Sequence, residues 1–358
     1  MTNILLLFGT RPDAVKIGPI AAELTALSAD YRVLCTGQHT NLLVGTPAET
    51  DLGGADTLAL ASGGNVARWL TYAQERLTAY LRKAQPKLVV VQGDTMSAHV
   101  GAVTANLLGI PVAHVEAGVR SHDLNNPWPE ESTRVSIAQL ARWHYAPTTT
   151  AFANLVSEEV PEAHIRVTGN TAVSALARYA PEVRATPRPD QTIVVTLHRR
   201  EIQHSAIANL LYGAVRHQAL VRPQVRFVWP LHPAMVKVVK RLPEPVNLVI
   251  TEPLGYHAFV RLVADAWGVL TDSGGLVEEC ATLGVPCVIL RMTNDRPEAV
   301  DAGCAALMPP NAAGIGGGTR YLLDGILRRE PSCAFGFADA AAVIARHLVE
   351  VADAGQTH

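Results

Sequence analysis

The chain has 358 residues, of which 48% are hydrophobic and 17% are charged, and its formal net charge at pH 7 is −2. This length predicts about two domains, and this composition is typical of a globular protein rather than a disordered one. Because a nearly neutral chain lacks the basic face that attracts nucleic acid or an anionic membrane, we expect neither kind of partner.

The cysteines and the beginning of the chain indicate the compartment. The five cysteines are odd in number, and none of them forms the C-x-x-C spacing of a metal or redox site. Met1 leads directly into an apolar run without a basic region or a cleavage signal. No apolar run approaches the roughly 18 residues of a membrane span. The sequence therefore predicts a cytoplasmic protein in a reducing environment.

The first half of the chain alternates short apolar runs with helical patterns. Residues 3–8 predict a strand, the segment Gly9-Thr10-Arg11-Pro12 ends it, and residues 13–27 predict a helix. The same alternation recurs in YRVLCTGQH, in LVVVQGD followed by SAHVGAVTANLL, and in PVAHVEAG followed by SIAQLARW. Such alternation indicates parallel strands joined by right-handed crossovers. The sequence therefore predicts one Rossmann-like α/β domain over residues 1–168.

The second half repeats the pattern beyond a connector rich in proline and arginine at residues 180–190. Its apolar runs are TIVVTLH, RFVWPLHP, VNLVITEP, WGVLTD and VPCVIL. The segment WGVLTDSGGLVEECATLGVPCVIL has the compact strand–helix–strand pattern of a doubly wound sheet. We therefore expect a second Rossmann-like α/β domain over residues 169–338 and a terminal helix over residues 339–358.

Several polar residues follow predicted strands, where open parallel sheets bind their ligands. They are Arg11, Asp94, Glu116, His198, His232 and Ser273. Any one of them alone is more often a cap, a turn residue or part of a structural ion pair. The same placement in both halves favours function.

A phosphate site is predicted where residues 272–275 (DSGG) open a helix. Glycines allow a ligand to approach the backbone, and the amides of a helix N-terminus bind phosphate. The alternative is an ordinary N-cap followed by a glycine turn. Arg11 and Lys16, near the start of the first helix, would match a diphosphate or a catalytic carboxylate. His198 and Arg199 would suit phosphate as well.

Three carboxylates, Asp94, Glu116 and Glu130, are candidates for proton transfer. Crowded carboxylates raise one another's pKa, so one can hold a proton while another acts as base. Alternatively, Glu130 and Glu131 only favour a helix N-terminus. A glycosidase-like carboxylate pair is a further alternative, but it would leave the phosphate-binding elements unexplained.

Ordered motifs along nearly the whole chain carry a resemblance to a known family. They are GTRPDAVKIGPI, TGQH, QGDT, HVEAGVRSHD, PWPEESTR, VTGNT, HRRE, EPLGYHAFV, LTDSGGLVEE and NDRPEAVDAG. Through them the chain resembles the non-hydrolysing UDP-N-acetylglucosamine 2-epimerases. The resemblance implies a glycosyltransferase-B type fold, an active site in the interdomain cleft, a terminal helix that packs on the first domain, and a homodimer.

The resemblance also implies a reaction and the residues that perform it. UDP is eliminated across C1–C2 to give a glycal and is added back with the proton on the opposite face of C2, without metal or cofactor. Asp94, Glu116 and Glu130 match the acidic residues assigned to acid–base work or to its support, and His198 matches the histidine near the diphosphate. The implied substrate-binding residues are Arg11 and Lys16 in the first glycine loop, Leu254 and Phe259 around the uracil, Ser273, Gly274 and Gly275 at the diphosphate, Glu279 at the ribose, and Arg296 of the RPEAV motif.

The chain departs from the family at three places. Leu197 replaces the glycine that usually precedes HRRE. The stretch after Gln38 and His39 is altered and shortened, which predicts that activation by a second substrate molecule is weakened or lost. Residues 121–123 and 125–126 change the loop beside the sugar, so the exact UDP-hexosamine stays open.

Other functions fit part of the pattern. A hydrolysing relative would release free ManNAc and UDP. A retaining glycosyltransferase would share the fold and the diphosphate site but would need an acceptor groove and would not explain all three carboxylates. A nucleotide-sugar-binding regulator would show no turnover. Surface-polysaccharide and specialised-metabolite pathways could each use the epimerase chemistry.

Overall fold

A computed structural model describes residues 3–37, 43–58, 60, 66–186, 191–199, 205–236, 239 and 242–354. Gln38, His39 and the first residues of the altered stretch that follows them lie outside these residues. Glu201 of the HRRE motif lies outside them as well. The chain divides into two compact units, Met1–Tyr179 with Gly336–His358, and Ala180–Phe335. Within the described part of the chain, no helix is long and apolar enough to cross a membrane.

The first unit is built on a parallel sheet that has seven strands in the described residues. The strands are β1 (Ile4–Phe8), β2 (Tyr31–Cys35), β3 (Asp56–Thr57), β4 (Leu88–Gln92), β5 (Val112–Val115), β6 (Trp143–Ala146) and β7 (Ile165–Val167). Their order in the sheet is β3-β2-β1-β4-β5-β6-β7. The direction of the strand order reverses between β1 and β4, and ligands of doubly wound sheets bind outside such a reversal.

Helices cover both faces of this sheet. They are α1 (Arg11–Ala26), α2 (Glu49–Leu52), α3 (Val66–Ala84), α4 (Met96–Leu107), α5 (Glu130–Leu140), α6 (Thr149–Ser157) and α7 (Thr171–Tyr179). A short 3₁₀ turn at Glu162–His164 precedes β7. Alternate residues of β1 pack on opposite faces, Leu6 in the core with α1 and Leu5 in the core with α3 and α4. Because both faces are buried, β1 is apolar at every position.

The first unit extends to the end of α7, beyond residue 168. Arg178 donates hydrogen bonds of 2.7 and 2.6 Å to Asp51, and the hydroxyl of Tyr179 donates one of 2.6 Å to the same carboxylate. Tyr179 also lies so close to Gly18 of α1 that any side chain at position 18 would collide with it. These contacts attach α7 to α1 and α2.

The second unit is built on six parallel strands in the described residues. They are β8 (Ile193–Thr196), β9 (Phe227–Pro230), β10 (Leu248–Thr251), β11 (Gly268–Thr271), β12 (Cys287–Leu290) and β13 (Ala305–Met308). The helices are α8 (Ser205–Val221), α9 (Pro233–Val236), α10 (Tyr256–Ala264), α11 (Gly274–Leu283), α12 (Pro297–Asp301) and α13 (Ala312–Leu323). The strand order β10-β9-β8-β11-β12-β13 reverses between β8 and β11. Two doubly wound sheets confirm the predicted fold class.

The last helix, α14 (Ala340–Ala354), belongs to the first unit. Ile344 and Leu348 lie in the same core cluster as Ile17 of α1. The Tyr145 hydroxyl of β6 lies 3.0 Å from Nδ1 of His347, at hydrogen-bonding distance. The helix therefore completes the face of the sheet that α1 covers.

Gly118 lies in the loop that follows Glu116, in tight contact with α6, and we expect its replacement by alanine to destabilise the protein. Its φ is +82°, and a Cβ atom would lie 2.1 Å from the carbonyl oxygen of Ala151. The left-handed backbone costs about 1–2 kcal/mol for an L-residue, and the overlap adds about 1–3 kcal/mol. Gly118→Ala should therefore lower the free energy of unfolding by about 3 kcal/mol, measured by urea denaturation. Gly109→Ala is the matched control, because Gly109 has a φ of +70° with open space around it. Equal losses in the two variants would contradict the crowding argument.

Candidate active site

Polar residues of the first unit meet at the ends of three neighbouring strands. Arg11 begins α1 just after β1, Asp94 lies two residues after β4, and Glu116 directly follows β5. Because β1, β4 and β5 are adjacent and parallel, their carboxyl ends share one edge of the sheet. Arg11 is exposed there. The structure therefore places these predicted site residues at the strand-order reversal.

Glu116 is held by two donors at one carboxylate oxygen. Lys16 Nζ lies 2.5 Å from Oε2, and Gln92 Nε2 donates to the same atom at 2.8 Å. The Glu116 side chain is only 8% exposed, and its φ is +66°. Such a backbone conformation costs about 1–3 kcal/mol for a non-glycine residue and is concentrated at functional sites. The sequence offered a diphosphate or a catalytic carboxylate as the partner of Lys16, and the resemblance assigned it to the substrate; in the structure Lys16 contacts a candidate catalytic carboxylate.

Asp94 is fixed by a buried arginine. Arg134 of α5 donates from Nε and Nη2 to Asp94 Oδ2 at 2.8 and 2.5 Å, and from Nη1 to Glu131 Oε2 at 3.0 Å. The other oxygen of Glu131 accepts the backbone amides of Ser121 and His122, both at 2.9 Å. Through Glu131, Arg134 therefore connects Asp94 to the loop that the family resemblance places beside the sugar.

Glu130 lies apart from this network of contacts. It is the first residue of α5 and is partly buried, and its Oε2 is a buried atom without a hydrogen-bond partner among the described residues. A buried polar atom that lacks a partner costs about 1–3 kcal/mol, so such atoms in native structures call for an explanation. A role in proton transfer supplies one. The neighbouring Glu131, not Glu130, is the residue bound to Arg134.

Asp13 is a carboxyl group that the sequence analysis did not single out. It is 6% exposed and forms a capping box with Thr10 at the start of α1. Its Oδ2 accepts hydrogen bonds from the amides of Gly9 and Thr10 at 3.2 and 3.1 Å and from the hydroxyl of Thr95 at 3.3 Å. Burial raises the pKa of Asp13 to about 7, with a smaller contribution from the charge of Asp94, although the hydrogen bonds lower it. The T-x-x-D pattern of residues 10–13 was the available signal.

In the second unit, His198 follows β8 and Asp272 follows β11, the two strands at the reversal of the strand order. Asp272 Oδ2 accepts the backbone amides of His198 and Arg199 at 2.8 and 2.7 Å. Nδ1 of His198 lies 3.1 Å from Asp272 Oδ1. The His232 ring lies 5.6 Å from the His198 ring between centroids. Leu197 is 1% exposed and packs in the core of this unit, which accounts for a leucine at this position.

The predicted diphosphate site is the N-terminus of α11. Ser273 occupies the N-cap position, but its side chain makes no capping hydrogen bond. Gly275 faces open space, whereas a Cβ at Gly274 would lie 3.0 Å from the guanidinium carbon of Arg296. The amides at this terminus are therefore not capped by Ser273, and helix N-termini of this kind bind phosphate. The observation weakens the alternative of an ordinary serine cap.

Arg296 is buried beneath this turn. Its Nε donates to Glu278 at 3.0 Å, and Nη1 lies 2.8 Å from Asp295 Oδ2. Arg296 is only 5% exposed, and its guanidinium group packs against the turn at Gly274. The other predicted substrate residues are spread over neighbouring elements: Glu279 is partly buried on α11, Phe259 is partly buried on α10, and Leu254 is 40% exposed in the loop before α10.

Comparison with known proteins identifies the family. A family model described as UDP-N-acetylglucosamine 2-epimerase matches residues 22–349. The chain is 35% identical over 328 residues to the UDP-N-acetylglucosamine 2-epimerase of Yersinia pestis, covering 86% of this chain and 87% of the relative. The chain belongs to the UDP-N-acetylglucosamine 2-epimerase family.

Solved structures of this family have the same fold. The UDP-GlcNAc 2-epimerase of Neisseria meningitidis bound to UDP-GlcNAc is similar to this chain with a TM-score of 0.87 and 31% identity, covering 98% of this chain and 100% of that chain. The Staphylococcus aureus MnaA–UDP co-structure has a TM-score of 0.89 and 28% identity, with coverages of 99% and 97%. The predicted 2-epimerase family and glycosyltransferase-B-like architecture are thereby confirmed.

Proposed function

We propose that the protein is a non-hydrolysing UDP-N-acetylglucosamine 2-epimerase that interconverts UDP-GlcNAc and UDP-ManNAc. Family membership supports the activity. The observation that carries the proposal is the pair of carboxylates at the strand-order reversal of the first unit, Asp94 held by Arg134 and Glu116 held by Lys16. The relatives' structures that hold UDP-GlcNAc and UDP support the choice of substrate.

The proposed reaction removes and returns one proton. A carboxylate takes the proton from C2, the electron pair of that C–H bond forms the C1–C2 double bond, and the C1–oxygen bond breaks with both electrons leaving on UDP. The resulting glycal then accepts a proton on the opposite face of C2 while a UDP oxygen adds to C1. No atom is lost and no electron is transferred to an acceptor, so the balance needs no co-reactant.

Each set of residues has a proposed part in this sequence. Asp94, Glu116 and Glu130 supply the base and the acid of the C2 proton transfers. Ser273, Gly274 and Gly275 bind the diphosphate at the helix N-terminus. His198 stabilises the charge that develops on the leaving UDP. Glu279 would bind the ribose, Leu254 and Phe259 the uracil, and Arg11 the substrate.

The test is incubation with UDP-GlcNAc in deuterated buffer, followed by NMR. UDP-ManNAc with deuterium at C2 is expected. Free ManNAc with stoichiometric UDP would instead identify a hydrolysing enzyme, and transfer to an added acceptor would identify a glycosyltransferase. Binding of UDP without turnover of any UDP-hexosamine would favour a regulator.

Matched amide variants distinguish the roles of the three carboxylates. Asp94→Asn, Glu116→Gln and Glu130→Gln should each bind UDP normally and lose about 10²–10⁴-fold in turnover. Glu330→Gln is the control, since Glu330 is exposed and forms an ion pair with exposed Arg328. If a variant still exchanges the C2 proton of one epimer but not of the other, the replaced residue is the one that removes the proton of the epimer that no longer exchanges. Wild-type turnover in all three variants would overturn the assignment.

The protein is further proposed to act as a cytoplasmic homodimer. The resemblance to the non-hydrolysing epimerases supports the dimer, and the cysteine pattern supports the compartment. Light scattering coupled to size-exclusion chromatography measures the oligomeric state; a mass equal to one chain of 38.2 kDa would contradict the dimer.

A further inference from the structure

Asp272 is a wholly buried carboxylate, 0% exposed, at the end of β11. The N-cap of α11 is Ser273, so Asp272 lies just before the cap position. Its contacts go to the segment that follows the neighbouring strand β8. A buried carboxylate is retained only where charge or hydrogen bonds compensate its desolvation. These contacts therefore indicate what Asp272 does.

Asp272 binds the backbone at His198 and lies beside the His198 ring. One oxygen accepts two consecutive amides, of His198 and Arg199, and the other lies 3.1 Å from Nδ1 of His198. Arg199 adds a fourth contact, in which Nε donates to the backbone oxygen of Asp272 at 2.9 Å. With Nδ1 beside the carboxylate, Nε2 is the nitrogen on the opposite edge of a ring whose side chain is 40% exposed.

The charges around His198 favour its protonated form. Among the residues that the structure describes, the groups that face it include Asp272 at the end of β11, Arg199 on its own segment and His232 after β9. Burial lowers the pKa of His198, but its interaction with the Asp272 carboxylate 3.1 Å away outweighs burial and the charge of Arg199, so the net shift is upward. Burial and the charge of His198 lower the pKa of His232.

We propose that Asp272 is the positioning residue of the leaving-group histidine: it orients His198 with Nδ1–H toward the carboxylate and presents Nε2–H of a charged imidazolium to the departing diphosphate. The proposal rests on the proposed function for the identity of the leaving group, but not for the pairing itself. A carboxylate beside Nδ1 sets the tautomer of a catalytic histidine and stabilises its charged form by the same electrostatic interaction in other proteins.

The experiment is an NMR titration of histidine-labelled protein without substrate, with the His198 signal assigned from the His198→Asn variant. In the wild type, His198 should carry its proton on Nδ1 and titrate above 6.5, the ordinary value for histidine. In Asp272→Asn the pKa of His198 should fall below that of the wild type. Glu182→Gln is the control, because Glu182 contacts His257 as an exposed carboxylate–histidine pair at 2.5 Å. It should leave the titration of His198 unchanged.

Turnover then separates positioning from a merely structural role. Asp272→Asn should lower kcat for UDP-GlcNAc about 10²-fold, with KM changed less than about threefold, and the basic limb of the pH profile should move to lower pH. In the His198→Asn background, Asp272→Asn should cause little further loss, because the two residues act as one unit.

The possible outcomes separate this inference from the proposed function. A wild-type His198 that titrates below 6.5 or carries its proton on Nε2 overturns the inference, and this measurement needs no variant to fold. Additive losses in the double variant, or an unmoved basic limb, overturn it as well. The expected titration without any turnover of UDP-GlcNAc would support the pairing and refute the proposed function instead.

Discussion

Arg134→Met is expected to destabilise the protein by about 3–5 kcal/mol and to reduce turnover about 10²-fold. Arg134 is 4% exposed and donates to Asp94 and Glu131, and the Glu131 side chain is 1% exposed. Removal of one partner from a buried ion pair leaves an uncompensated charge and costs about that much free energy. Turnover falls because Asp94 loses the two donors that orient it, and a misplacement of about 1 Å can cost 10²-fold in rate.

Denaturation by urea and steady-state kinetics measure the two effects of Arg134→Met. Arg134→Lys retains the charge but not the planar fork that reaches both carboxylates, so it should lie between the wild type and Arg134→Met. Arg328→Met is the matched control. It removes an arginine–glutamate pair whose side chains are 63% and 76% exposed, and such pairs contribute about 0–1 kcal/mol. If Arg134→Met were as mild as this control, the buried network would have no energetic role.

The sequence predicted the two doubly wound sheets because buried parallel strands leave a plain pattern of apolar runs between helices. It also placed Asp94, Glu116 and His198 after strands, where the structure has them. The order of the strands was not available from periodicity, because each strand carries the same pattern whatever its neighbour. That order brings β1 beside β4 and β8 beside β11. As a result, polar residues that follow different strands lie close together in each unit.

Partners of the candidate residues were less predictable than the residues themselves. Arg134 lies 40 positions from Asp94, and Lys16 lies 100 positions from Glu116. Such pairs depend on tertiary structure, and a single sequence contains no local signal for them. Glu131 was visible only as a second acid at a helix start, and Asp272 only as the first residue of the DSGG turn, where it was a candidate N-cap. Their burial decides their roles, and burial of an acid is not expected from its type.

The pH dependence of the free energy of unfolding should reveal the raised pKa of Asp13. In the unfolded chain its pKa is near the ordinary value of 3.8, and in the folded protein it is about 7. Between these values the unfolded state releases the proton and the folded state retains it, so folding becomes less favourable as the pH rises. The contribution is absent below about pH 4 and grows to about 4 kcal/mol above pH 7, at about 1.4 kcal/mol per unit.

Asp13→Asn should therefore be more stable than the wild type by an amount that grows from about 2 kcal/mol at pH 5 to about 4 kcal/mol above pH 7, measured by urea denaturation at each pH. The amide oxygen can accept the three hydrogen bonds that Oδ2 accepts, so the variant removes the charge and keeps the cap. Asp324→Asn, at the exposed C-cap of α13, is the control for the loss of a carboxylate elsewhere in the chain. Parallel curves for Asp13→Asn would show that Asp13 ionises as freely in the folded protein as in the unfolded chain. A carboxyl group that weakens the fold at neutral pH, placed beside Asp94, is typical of functional sites, where shifted pKa values concentrate.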